Sequence, residues 1–110
     1  MLHFIAQAMR KGKISVPVAK RMVEMVLEFG GNKQQVTPHD GEITAYDVLM
    51  FQPIDSPWPN PFQDLHVEMK STLRKWHPVL ELLKTNNSKV LEFANRMPSM
   101  RARVDFVDSL

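Results

Sequence analysis

The apolar positions of this chain fall on helical spacings almost from its first residue. Leu2, Ile5, Ala6 and Met9 step by three and four, the period of one helix face, and Gly12 supplies a stop. Ser15 is placed to cap a second helix whose first turn tolerates Pro17, because the leading amides of a helix lack intrahelical acceptors anyway. Val18, Ala19, Met22, Val23 and Val26 form the predicted buried stripe of that helix, and Lys20, Arg21, Glu24 and Glu28 its wet side. Gly30-Gly31 ends it. Residues 32–43 are polar, hold Pro38 and Gly41, and read as a loop with one turn starting at Thr37-Pro38. Thr44 and Asp47 have the spacing of a capping box. Ala45, Val48, Leu49 and Phe51 then predict a short third helix that Pro53 cannot continue.

The second half opens with Pro53, Pro57, Pro59 and Pro61 around Trp58, the composition of an extended connector. Asn60, Pro61 and Gln63 make a helix start, and Phe62, Leu65, Met69, Leu73, Trp76, Leu80 and Leu83 continue in steps of three or four, the clearest periodicity in the chain. The stripe keeps phase across Pro78, so one kinked helix or two abutting ones is expected there. Asn86-Asn87 ends it. Ser88 caps a helix bearing Val90, Leu91, Ala94 and Met97, Pro98 closes that helix, and Ser99 caps a last one through Val104 and Val107. No segment alternates as a strand does, and no repeat of solenoid length is present. The expected fold is all-α: a compact bundle of five or six short helices with a proline-rich connector in the middle. At 110 residues the chain can bury one core, so residues 1–110 read as a single helical domain, with 52–60 joining helical halves 1–51 and 61–110.

Composition adjusts this picture in three ways. Hydrophobic residues are 44% and charged residues 24% of the chain, the balance of a folding domain rather than a disordered one. No apolar run is long enough to span a bilayer, so no membrane is expected. The absence of cysteine rules out disulfides and thiolate chemistry and fits an intracellular, cytoplasmic protein. The net charge of +2 argues for no partner by itself, but its distribution is uneven. Residues 1–33 carry six basic and two acidic groups, 34–69 none and six, 70–104 eight and two, and 105–110 none and two. Folding either sets these blocks out as opposed patches or lets them neutralise one another.

The basic residues supply the main contact candidates. His66, Lys70, Arg74 and His77, with Lys75 beside them, share a face of the long helix, a ladder suited to successive phosphates or to an acidic protein surface. The bland reading of such a run is a solvated helix side, with Glu68 and Glu81 as partial counter-charges. Arg96, Arg101 and Arg103 straddle Pro98. Arg101 and Arg103 stand at the start of the last helix, where positive charge is mildly unfavourable, which ranks them as contacts too. Arg10 and Lys11 are accounted for by the negative end of the first helix dipole. Trp58, held on a stiff connector, is either tucked onto the helices or offered as an anchor. Met25, Leu27 and Phe29 fall outside the main stripe of helix two and are candidates for an interface. Eight methionines read mostly as core filler.

Other chemistries fit poorly. The basic, amphipathic start has the look of a mitochondrial presequence or a surface-bound helix, but the capped second helix makes it continuous with the domain, and its apolar face is small. Asp40-Gly41-Glu42-Ile43 resembles the middle of a calcium loop, yet aligning Gly41 with the loop's sixth position puts Val36 and Pro38 where oxygen ligands belong. Asn60-Pro61-Phe62 reads as a cap, a first-turn proline and a core aromatic. There is no nucleophile elbow, phosphate-cradling glycine loop or metal-binding His-Glu-x-x-His helix. His66 and Glu68, two residues apart, face different ways. No enzyme, metal or cofactor is expected.

Gly12-Lys13-Ile14-Ser15 followed by Ala19-Lys20 resembles the helical tail domain of the bacterial amidotransferase B subunit and its stand-alone relatives, where a Gly-Lys-Ile-Ser turn precedes an Ala-Lys helix. The resemblance covers Leu2 to Gly31 and does not extend through the connector or beyond. It implies a helical, RNA-associated module. The residues themselves lead to a non-enzymatic interaction or regulatory domain that docks a protein partner, with nucleic-acid binding by the basic helix faces as the alternative. A homodimer would account for the spare apolar residues.

Overall fold

The computed structural model describes residues 1–36, 43–51, 64–86 and 88–110. Among them the chain forms six helices and no strand: α1 (Leu2–Arg10), α2 (Val16–Glu28), α3 (Ala45–Phe51), α4 (Val67–Leu83), α5 (Lys89–Ala94) and α6 (Pro98–Asp108). The connector 52–60 with Trp58, the Thr37-Pro38 and Asp40-Gly41-Glu42 segments and Asn60-Pro61-Phe62 lie outside the described residues.

Local chemistry accounts for the first two helices. The predicted face of α1, Leu2, Ile5, Ala6 and Met9, is buried. The helix ends when Gly12 takes φ +72°, letting the Gly12 amide donate to the Met9 carbonyl at 3.1 Å and the Lys13 amide to that of Ala8 at 2.9 Å. The same motif closes α2. Gly30 has φ +92°, its amide reaches the Leu27 carbonyl at 3.3 Å, and the Gly31 amide reaches that of Val26 at 2.7 Å. Between these stops, the Ser15 hydroxyl accepts from the Val18 amide at 3.4 Å to start α2. The α2 stripe is narrower than predicted. Ala19 and Val23 are buried and Met22 and Val26 half-buried, but Val18 is 47% exposed, because the first turn stands at the edge of the bundle.

α3 is short but central, with all seven residues buried, the signature of a helix surrounded by others. It packs on α1, α4 and α5, while α4 also contacts α2 and α6. A single core cluster draws on all six helices, including Ile5, Val23, Leu49, Leu73, Val90 and Val104, and so includes elements from both sides of the connector. The Cα radius of gyration, 12.8 Å, is that of one compact body, about 13 Å for a chain near this length. α4 buries Met69, Leu73, Trp76, Leu80 and Leu83, as the stripe predicted, and runs through Pro78 as one helix.

Its start differs from the expectation. Asp64, Leu65 and His66 are not helical, and His66 is the N-cap, its Nδ1 accepting from the Met69 amide at 3.3 Å. The last helix also starts earlier than Ser99. Pro98 opens α6 behind Met97, which gives no side-chain cap bond, so proline's preset φ rather than a serine hydroxyl begins it.

Two buried charges tie the bundle together. Thr44 and Asp47 form the predicted capping box: the Thr44 amide donates to Asp47 Oδ2 at 2.9 Å and the Asp47 amide to Thr44 Oγ1 at 3.3 Å. The same carboxylate accepts from the amides of Lys89 at 3.1 Å and Val90 at 3.0 Å, so one aspartate serves the N-termini of α3 and α5. At the other end of α3, Arg103 from α6 donates from Nη1 to the Met50 carbonyl at 3.1 Å. That carbonyl belongs to the last turn, where helix acceptors lack partners and a cation suits the dipole.

Candidate functional site

Most of the predicted contact residues have work inside the fold. Arg103 is fully buried, which removes it from any contact surface; its burial follows from its place on the α6 stripe between Met100 and Val107, and burial lowers its pKa from the ordinary guanidinium value. His66 caps α4. Lys70 and Arg74 lie over the ring of Phe106, 5.9 and 5.5 Å from its centroid, binding α4 to α6 through cation–π contact. Arg101 donates to Asn95 Oδ1 at 2.9 Å and sits 3.7 Å from Asp105, and Arg96 is 3.8 Å from Glu92. These pairs are solvent-exposed and contribute little stability, but they neutralise charge locally. Trp58 lies outside the described residues.

Lys75 and His77 remain, and the structure separates them. His77 lines a shallow cleft with Tyr46, Leu80, Glu81 and the exposed Lys84–Asp108 pair, whose atoms are 2.6 Å apart. The Tyr46 hydroxyl beneath is buried and has no hydrogen-bond partner. Burial first, then the charges of Asp108 and Asp47, push its pKa well above the ordinary phenol value.

Lys75 stands on the wall of a groove that sequence reasoning did not foresee. The turn from α1 to α2 packs beside the middle of α4, at Lys75 and Trp76, and leaves a trough of about 490 Å³ there. Met9, Ile14, Val16 and Trp76 belong to its apolar lining, and Lys13 from the turn and Lys75 from α4 line it as well. Its size lies within the roughly 300–1,000 Å³ of ligand clefts, enough for one or two side chains of a partner but not a whole helix. Lys11, Lys13 and Lys75 are exposed and, among the described residues, have no ion-pair partner. The signal in the sequence was the Gly-Lys-Ile-Ser turn itself, which sets a basic and an apolar residue between two helix ends.

Apolar side chains are also open elsewhere. Phe29 and Val67 are each 83% exposed, and Phe4 and Met25 are exposed as well; Leu27 is half-buried. Met25 and Phe29, four residues apart, lie on one side of α2. Among the described residues no group of three or more His, Asp or Glu side chains is placed to hold a metal ion, and no helix is long and apolar enough to cross a membrane.

No protein-family model, no curated protein and no solved structure matches this chain. The likeness of Leu2 to Gly31 to an amidotransferase tail therefore carries no family assignment, and the functional argument rests on the geometry.

Proposed function

We propose that this chain is a non-enzymatic helical interaction domain that docks a protein partner, with the trough between the α1–α2 turn and α4 as its contact surface. The observation that supports the reading is a contrast in how the basic residues are used. His66, Lys70 and Arg74 of the basic ladder are engaged by capping and by Phe106, and Arg96 and Arg101 by neighbouring acids, whereas Lys13 and Lys75 beside the apolar trough have no ion-pair partner among the described residues. An apolar floor with a polar rim is the usual anatomy of a protein contact.

The test is selection from a random peptide library displayed on phage, run against the wild-type domain and against Pro17→Trp, which places an indole in the trough. Clones that bind the first and not the second are expected. In parallel, labelled single-stranded RNA and duplex DNA are titrated at two salt concentrations against wild type and the Lys70→Glu, Arg74→Glu double variant. Failure to enrich any clone, together with nucleic-acid binding whose steep salt slope vanishes in the double variant, would replace this reading with the nucleic-acid one.

A further inference from the structure

Resting on that docking reading, we infer that the occupant of the α1–α2 trough is an acidic protein segment that inserts one large apolar side chain, with a carboxylate on either side of it. The other open features lack such an argument. In the His77 cleft the Lys84 and Asp108 charges already satisfy each other, and the Tyr46 hydroxyl beneath is covered. At Phe29 and Val67 nothing indicates what would cover them.

In the trough three sources of positive potential converge on an apolar floor. Lys13 lines it from the turn and Lys75 from α4. The positive end of the α2 dipole opens at Ser15 and Val16, and α2 has no acid in its first turn to offset it. The first acidic residue of the chain, Glu24, lies more than a turn farther along α2 and faces Lys20 at 3.9 Å. No acidic group among the described residues offsets this potential, and one from a partner would.

The floor decides between a peptide and a nucleic acid. Trp76 is only 5% exposed, so it offers no open ring face on which a base would stack, and the half-buried Ile14 and Val16 present aliphatic surface. Phosphates would satisfy the lysines and leave the apolar lining uncovered, whereas a leucine or phenylalanine flanked by glutamate or aspartate satisfies both.

The experiment measures fluorescence anisotropy with dye-labelled peptides of about twelve residues, carrying a central leucine flanked by glutamates, by glutamines or by lysines, at about 50 and 300 mM salt. The glutamate peptide is expected to bind at least about tenfold more tightly than the glutamine peptide at low salt, and to lose most of that margin at high salt. The Lys13→Glu, Lys75→Glu double variant, its fold checked by circular dichroism, is expected to prefer the lysine peptide. Equal binding of all three peptides, blocked by Pro17→Trp, overturns the acidic occupant and leaves the docking reading standing. Binding by none of them overturns both. A single-stranded oligonucleotide of equal charge that outcompetes the glutamate peptide overturns the inference in favour of nucleic acid.

Discussion

Charge is handled in opposite ways in two regions of this molecule. Around α3, Asp47 and Arg103 are fully buried, and each is answered by backbone groups: the amides of Thr44, Lys89 and Val90 for the aspartate, and the last-turn carbonyl of Met50 for the arginine. At the α1–α2 turn, Lys11, Lys13 and Lys75 stand in solvent with no ion-pair partner among the described residues. A buried charge without partners is too costly to persist, so the inner pair must serve the fold. An exposed charge without partners costs little, and so remains available to a ligand.

The sharpest way to break this comparison is at Asp47. Asp47→Ala strands amides at the starts of both α3 and α5, and a loss of about 3–5 kcal/mol is expected in urea unfolding, enough to unfold a marginal domain. A loss below about 1 kcal/mol would mean the aspartate is not the shared cap described above. Next comes Arg103. Arg103→Ala removes both a hydrogen bond and core volume, for a loss of about 2–4 kcal/mol, while Arg103→Met keeps the volume and should cost distinctly less. If both variants behave alike by thermal melting, packing is not what separates them.

Tyr46 sharpens the inner half further. Its hydroxyl is buried with no partner, so Tyr46→Phe is expected to be neutral or to stabilise by about 1 kcal/mol. Because the folded-state pKa is raised, the unfolded chain ionises first. Wild-type stability should hold up to about pH 10 and then decline as pH rises further, while the Tyr46→Phe profile shows less of that decline. As this is the chain's single tyrosine, absorbance near 295 nm reports its ionisation without interference; titration of the folded protein at an ordinary phenol pKa would refute the burial effect. The smallest effect belongs to the outer half. Lys13→Glu and Lys75→Glu should each change stability by no more than about 0.5 kcal/mol, and a larger loss in calorimetry would show that these lysines serve the fold after all.

The stops and starts of α1, α2 and α3 could be read before the structure because each is local: Gly12 and Gly30 adopt positive φ next to the helices they end, and Ser15 and Thr44 reach amides three residues away. Errors arose where a local signal was weak or had a rival. His66 sits at the spacing of a helix face but caps instead. Ser99 has a capping side chain but follows Pro98, whose fixed φ already starts the helix. Arg103 was read by its charge, although its spacing with Met100, Val104 and Val107 placed it on the buried stripe.

The sequence by itself determined that the chain is helical, which faces turn inward and where most helices stop, since periodicity and capping act over a few residues. Tertiary structure alone decided that Asp47 would serve α5, that Arg103 would close α3, and that the Gly-Lys-Ile-Ser turn would meet Trp76 and Lys75 to form a trough. Those contacts join residues some 40 to 60 positions apart, and their existence depends on how helices pack, which no local spacing encodes.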